Sequence, residues 1–63
     1  NISPGAILAG AVRVGDRALI GMGATINLGV SIGAGARVGN SAVVKADVPE
    51  IGIVRAGGIW PDK

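Results

Sequence analysis

One six-residue pattern is repeated three times in the stretch Ile20-Gly21-Met22-Gly23-Ala24-Thr25-Ile26-Asn27-Leu28-Gly29-Val30-Ser31-Ile32-Gly33-Ala34-Gly35-Ala36-Arg37. Each copy has an aliphatic residue first, Gly or Asn second and a small residue fifth. The same phase extends over residues 2–49. Its first positions are Ile2, Leu8, Val14, Ile20, Ile26, Ile32, Val38 and Val44, and its fifth positions are Ala6, Val12, Ala18, Ala24, Val30, Ala36, Ala42 and Val48. A fixed short period of this kind indicates a solenoid.

Each six-residue unit is expected to form a short strand followed by a turn, with its first and fifth side chains directed toward a common axis. Three units would close a triangular coil of about eighteen residues, so residues 2–49 predict fewer than three coils. No charged residue within the repeat occupies a first or fifth position, which predicts a dry axis and a polar shell. A helical alternative is disfavoured because twelve glycines would each cost about 1 kcal/mol in helix interiors.

The second position of the repeat is expected to have positive φ, because Gly15, Gly21, Gly33 and Gly39 occupy it and Asn27 replaces Gly once. The repeat is assigned to residues 1–49. Residues 50–63 are interpreted as a turn, a short strand at 53–56 and an irregular tail from Ile59 onward. Trp60, the one aromatic residue, is expected to cover the open end of the last coil, and Asp47 to cap its own turn.

The composition excludes several classes of function. The 63 residues include no His and no Cys, which removes a three-histidine zinc site and a disulfide framework. The net charge of +2 comes from scattered residues without interleaved aromatics, so nucleic acid is not expected as a partner. No apolar run is long enough to span a membrane. Thr25 is the single Thr, which excludes a threonine-array ice-binding surface.

The repeat resembles that of the hexapeptide-repeat acyltransferases, closest to the branch of sialic acid O-acetyltransferases and amino-sugar N-acetyltransferases. The segments that carry the resemblance are Asn1-Ile2-Ser3-Pro4-Gly5-Ala6, Leu8-Ala9-Gly10 and Val38-Gly39-Asn40-Ser41-Ala42-Val43-Val44-Lys45-Ala46-Asp47-Val48-Pro49. It covers about four-fifths of the chain and only the C-terminal part of such an enzyme. The resemblance implies a left-handed parallel β-helix, a homotrimer and a cytoplasmic location.

The resemblance also implies a donor site for acetyl-CoA in a groove between neighbouring subunits. A backbone N–H that matches Gly10 would hold the thioester carbonyl, and turn backbones that match Met22 and Asn40 would hold the pantetheine arm. Lys45 and Arg55 would lie near the phosphates of the donor. The acceptor in such enzymes is a sugar, in some cases linked to a nucleotide.

The sequence departs from the family pattern at the catalytic base, which is a His upstream of the matched segment. A second family His matches Asn1, and the chain offers no residue for the catalytic role. The chain starts in phase with the repeat, from which we expect upstream coils in a longer parent. We therefore expect a donor-binding part that is inactive alone. The alternative is a structural trimerisation solenoid without catalysis.

Overall fold

The computed structural model describes residues 2–61 and is all-β, with nine two-residue strands and no helix in that range. Each strand spans the sixth position of one hexapeptide and the first position of the next. Their bounds are β1 Ile7–Leu8, β2 Arg13–Val14, β3 Leu19–Ile20, β4 Thr25–Ile26, β5 Ser31–Ile32, β6 Arg37–Val38, β7 Val43–Val44, β8 Ile53–Val54 and β9 Ile59–Trp60.

The strands stack into three parallel sheets that form the sides of a triangular prism. Face 1 is the sheet β3-β6-β8, face 2 is β1-β4-β7-β9 and face 3 is β2-β5. Single bridges extend two of them, Ile2 to Ile20 on face 1 and Ile32 to Val48 on face 3. The chain visits the faces in the order 1, 2, 3 and makes about three turns, as in the left-handed parallel β-helix that the resemblance implies.

The axis of the prism is dry, as predicted. Ile20, Ile26 and Val44 are the largest fully buried side chains, and among residues 2–61 no buried side chain is polar or charged. Small fifth-position residues, such as Ala24 and Ala42, fill the space between the aliphatic columns and are fully buried. The inward side chains of the first coil, including Leu8 and Val14, are only partly buried because no coil lies below them among the described residues.

The prediction of positive φ at the second position is wrong. Positive φ occurs instead at the fourth position, at Gly5, Gly23, Gly29, Gly35 and Gly57, with values of 68–77°. Four other residues adopt the same left-handed backbone there, namely Ala11, Arg17, Ser41 and Ile51, with φ of 60–62°. The turn is therefore formed by the third and fourth residues of each hexapeptide, and the left-handed residue is the fourth.

Glycine at the second position is required by close approach of the next coil. A Cβ on Gly39 would lie 2.3 Å from the Ala56 backbone nitrogen, and one on Gly33 would lie 2.4 Å from that of Glu50. Real Cβ atoms essentially never approach a neighbouring backbone so closely. Gly21, in the same role, donates its own N–H to the carbonyl of Val38 in the next coil at 2.7 Å. Steric exclusion by the ladder, and not backbone dihedral, therefore requires Gly at residues 15, 21, 33 and 39.

The coil that contains β6 and β7 is shorter than the others. Ladder partners are eighteen positions apart up to Ile26 and Val44, but Ile32 pairs with Val48 and Val38 with Val54, both sixteen positions apart. Two residues are thus missing between Val44 and Val48. Val48 occupies a first position and not the fifth position that the uninterrupted phase gives it.

The repeat resumes after this shortened segment instead of ending at residue 49. The expected strand at 53–56 is observed only over Ile53–Val54, as β8, which pairs with β6, whereas Ala56 belongs to the next turn. The prediction of an irregular tail is wrong for Ile59 and Trp60, which form β9 and pair with Val43 and Val44. Trp60 packs against the buried core at this end of the prism, where the sequence analysis placed it.

Asp47 compensates for the missing residues. At all the remaining rungs of the ladder, the N–H of a sixth-position residue donates to a backbone carbonyl of the next coil, as Thr25 does to Ala42 at 2.8 Å. Ser31 has no such carbonyl above it and donates instead to Asp47 Oδ1 at 2.8 Å. The Asp47 carbonyl accepts from Trp60 Nε1 at 3.0 Å. Asp47 is therefore a cap for the preceding coil, and the expectation that it caps its own turn is wrong.

No helix in residues 2–61 has the length and the apolar character that crossing a membrane requires.

Candidate functional site

The turns stack along the three edges of the prism, and these edges hold the four predicted donor-site residues. Edge A joins faces 1 and 2, edge B joins faces 2 and 3, and edge C joins faces 3 and 1. Gly10 and Lys45 lie on edge B, whereas Met22 and Asn40 lie on edge A. The structure thus places two of the four residues on each of these edges, and it joins only Met22 and Asn40 by a hydrogen bond.

Gly10 presents a free backbone donor at edge B. Its carbonyl accepts the N–H of Gly29 at 3.0 Å, whereas its own N–H has no acceptor among residues 2–61. The nearest neighbour is the exposed side chain of Leu28, whose Cδ1 would lie 3.2 Å from a Cβ at residue 10. A free N–H beside an apolar side chain is suited to hold a carbonyl oxygen that gains negative charge.

Lys45 lies two coils above Gly10 on the same edge, because the strand positions before them, Leu8 and Val44, are linked through Ile26. Its backbone N–H donates to the Trp60 carbonyl at 2.6 Å. The side chain is exposed and forms no ion pair with any described carboxylate. The ammonium group is therefore available to an anion at the end of edge B.

Met22 and Asn40 form a hydrogen-bonded pair on edge A. Asn40 Oδ1 accepts the N–H of Met22 at 2.8 Å, and the Met22 carbonyl accepts the N–H of Ser41 at 2.8 Å. The Asn40 carbonyl accepts from Gly57 at 2.7 Å, but the Asn40 N–H has no acceptor within residues 2–61. Of the two predicted backbone donors on this edge, Asn40 is free and Met22 is occupied by a side chain of its own chain.

Face 2 separates the two pairs. Its outward side chains are apolar or β-branched, and two of them, Ile7 and Ile59, are 61% and 54% exposed. Thr25 and Val43 between them are partly buried. A ligand that reaches both Gly10 and Asn40 of one chain would have to cross the whole of this face.

The carboxylates lie away from Gly10. Asp16 and Glu50 are exposed on edge C, and Asp47 is engaged with Ser31 on face 3. Asn1, which matches a family His, and Asp62 lie outside the described residues. The described part of the chain therefore places no general base beside the Gly10 N–H.

Face 1 carries a groove of about 650 Å³ that was not predicted from the sequence, although its lining includes Arg55, which was expected near the phosphates of the donor. Arg37 and Arg55 line it, together with the outward side chains of Leu19 and Ile53. The signal for this groove in the sequence is the outward-pointing sixth position of the repeat, because Leu19, Arg37 and Ile53 share one face. Assigning Ile53 to this face also requires knowledge of the two-residue deletion before Val48, because that deletion shifts the phase of the repeat.

Comparison with known protein families gave a match. Residues 11–46, more than half of the chain, match the family described as the hexapeptide repeat of succinyl-transferase. Neither the search of curated proteins nor that of solved structures gave a match. The matched residues span β2 to β7 and contain the two-residue strands, the turns with a left-handed fourth residue and the second-position glycines described above. The chain belongs to the hexapeptide-repeat family of the succinyl-transferase type.

Proposed function

We propose that this chain is the donor-binding part of an acyltransferase, with acetyl-CoA as donor and a sugar as acceptor, of the kind that sialic acid O-acetyltransferases and amino-sugar N-acetyltransferases use. The observation that carries the proposal is the free N–H of Gly10 at edge B. A preorganised N–H at a thioester carbonyl is typically worth a few kcal/mol once that oxygen becomes an oxyanion.

The chemistry that such a site would support is transfer of the acetyl group to a hydroxyl or amine of the acceptor. The acceptor oxygen or nitrogen first bonds to the thioester carbon to give a tetrahedral intermediate. The C–S bond then breaks with its electron pair going to sulfur, and the proton that a base removes from the acceptor ends on the free thiol. The Gly10 N–H would stabilise the negative oxygen of the tetrahedral intermediate. Proton removal needs a base, which typically supplies about 10²–10⁴-fold of the rate, and the described residues place none there.

A homotrimer would bring the four candidate residues into one groove. If three copies turn face 2 toward a common axis, edge A of each copy meets edge B of its neighbour. Met22 and Asn40 of one chain would then flank the same groove as Gly10 and Lys45 of the next. The exposed apolar side chains of face 2, Ile7 and Ile59, support this orientation because burial removes them from water.

The test is a titration of the isotopically labelled protein with CoA and with acetyl-CoA, followed by amide chemical shifts. We expect both ligands to shift the amides of Gly10, Asn40 and Lys45, and acetyl-CoA to shift Gly10 further. The variant Gly10→Pro removes the N–H and is tolerated by this turn, since Pro4 occupies the equivalent third position. It should weaken acetyl-CoA binding by about two- to tenfold, the usual worth of one hydrogen bond.

Gly10→Ala is the matched control. It keeps the N–H and places its Cβ against the flexible end of Leu28, so its affinity should stay near that of the unmodified protein. Equal weakening in both variants would show that shape, and not the N–H, matters. The same samples should release no thiol from acetyl-CoA in the presence of amino sugars, and release above the buffer rate would contradict the assignment of this chain as inactive alone.

The second candidate function is a structural trimerisation solenoid without catalysis. It is favoured by the Asn40 side chain, which occupies the Met22 N–H that a donor would use. Under this reading the protein is trimeric, yet millimolar CoA produces neither amide shifts nor a thermal shift. Both candidate functions therefore predict a trimer, and they differ in whether that trimer binds CoA.

A further inference from the structure

The groove on face 1 combines an apolar floor with two cations. Leu19, Arg37 and Ile53 stand in one column on the outer surface of β3, β6 and β8, since Leu19 pairs with Arg37 and Arg37 with Ile53. Leu19 is 43% exposed and Ile53 67% exposed, so both present apolar surface on either side of the guanidinium. We propose that this groove binds a small organic phosphate that also carries an apolar group.

The two guanidinium groups belong to adjacent coils and line the same groove. Arg37 is in β6, whereas Arg55 follows β8, the strand that pairs with β6. Among the described residues that line the groove, these are the two charged ones and none is a carboxylate. Neither guanidinium forms an ion pair within residues 2–61. The groove therefore holds two positive charges without internal compensation.

The pairing of charge and apolar surface defines the ligand. A guanidinium presents N–H donors in a planar fork that matches the oxygens of a phosphate, and two of them can grip one phosphate from two sides. The apolar part of the ligand would lie on Leu19 and Ile53. A volume of about 650 Å³ accommodates a ligand of the size of an aryl or nucleoside phosphate. This inference does not depend on acyl transfer.

The experiment is an amide chemical-shift titration of the intact chain with phenyl phosphate, inorganic phosphate and phenol as probes. We expect phenyl phosphate to bind more tightly than either fragment and to shift amides of Leu19, Arg37 and Ile53–Ala56. Arg37→Gln and Arg55→Gln should each weaken phenyl phosphate binding about five- to tenfold. Arg13→Gln on face 3 removes the same charge at a distant surface and should leave the affinity unchanged.

A second pair of variants tests the apolar half of the groove. Ile53→Ser removes exposed apolar surface without touching the core, and it should weaken phenyl phosphate but leave inorganic phosphate unchanged. Ile51→Ser makes the same kind of change on edge C, where the side chain is 77% exposed, and should alter neither. The proposal is overturned if phenyl phosphate shifts no groove amide at millimolar concentration, or if Arg13→Gln weakens it as much as Arg37→Gln.

Competition with CoA identifies the source of the phosphate. If saturating CoA displaces phenyl phosphate, the groove holds the phosphate end of that donor. If both bind together, the groove belongs to a separate phosphate ester. Either outcome supports the groove as an anion site, and each is read independently of the Gly10 amide that tests the proposed function.

Discussion

Two kinds of glycine coexist in this solenoid at the scale of the single residue, and they are required for different reasons. Gly39 has no room for a Cβ, which would lie 2.3 Å from a backbone nitrogen. Gly29 has open space around it but a φ of 74°. We expect Gly39→Ala to cost about 3 kcal/mol of unfolding free energy, because a whole rung must shift, and Gly29→Ala about 1 kcal/mol, from left-handed strain alone.

Chemical denaturation of both variants at one protein concentration measures this difference, with the midpoint and slope compared to those of the unmodified chain. Ala11, Arg17 and Ser41 show that non-glycine residues are tolerated at the fourth position, so a folded Gly29→Ala is expected. Equal losses for the two variants, or a larger loss for Gly29→Ala, would contradict steric exclusion as the reason for Gly39.

The sequence could not assign these two roles. In the copies at residues 20–25 and 32–37, both the second and the fourth positions are Gly, so either could be the left-handed residue. The fourth position also holds Ala11 and Arg17, which hides its positive φ from a composition argument. The second position likewise holds Ala9, Asn27 and Lys45, so composition does not separate the two positions.

At the scale of the element, the segment between β7 and β8 depends on Asp47. Its carboxylate replaces a backbone carbonyl as the acceptor for Ser31, at 2.8 Å. We expect Asp47→Ala to destabilise the protein by about 1–2 kcal/mol, because a partly buried N–H loses its partner. Asp47→Asn keeps the Oδ1 acceptor and should cost much less.

Thermal unfolding of the two variants measures the effect, and hydrogen exchange at Ser31 reports it locally. The Ser31 amide should exchange faster in Asp47→Ala and stay protected in Asp47→Asn. If Asn were as damaging as Ala, the charge and not the hydrogen bond would be the stabilising feature.

The repeat pattern does not reveal the two-residue deletion, because Val48 fits both the original phase and the shifted one. It is a small aliphatic residue in the fifth position of the original phase and a buried aliphatic residue, 2% exposed, in the first position of the shifted one. Beyond it, Val54 and Trp60 continue at intervals of six. Glu50 and Ile51, which lie between Val48 and Val54, form another of the repeat's turns.

At the scale of the whole molecule, face 2 makes self-association the expected state. We predict a homotrimer that dissociates when Ile7 and Ile59 are both replaced by Ser, because these residues supply exposed apolar area on that face. Sedimentation velocity over a dilution series measures the change. Ile51→Ser, on edge C, is the matched control and should remain trimeric.

A folded monomer of the unmodified chain at micromolar concentration would contradict this prediction. So would a trimer that resists the double substitution yet dissociates when Leu19 or Ile53 is changed, since these lie on face 1. The proposed donor groove would then need a different pair of edges.

The fold was predictable from the sequence, but the candidate site was predictable only in part. Inward-pointing residues such as Ile20, Ile26 and Ile32 define the solenoid because their six-residue period is independent of the turn geometry. Gly10 was proposed from a resemblance, and its free N–H agrees with that proposal without testing it. The capture of the Met22 N–H by Asn40 depends on which turns stack, and that stacking is a property of three-dimensional register.

The shortened coil also has a kinetic consequence. Each rung joins residues sixteen or eighteen positions apart, so a growing solenoid closes loops of nearly constant, modest entropy. Chains built from near-identical units are prone to stack with the wrong neighbour during folding. A slip by one hexapeptide would keep aliphatic residues on the axis, but it would carry Asp47 away from Ser31 and leave that N–H without an acceptor. We therefore expect the hydrogen bond between Ser31 and Asp47, which forms where two residues are missing, to favour the native stacking over the slipped ones during folding.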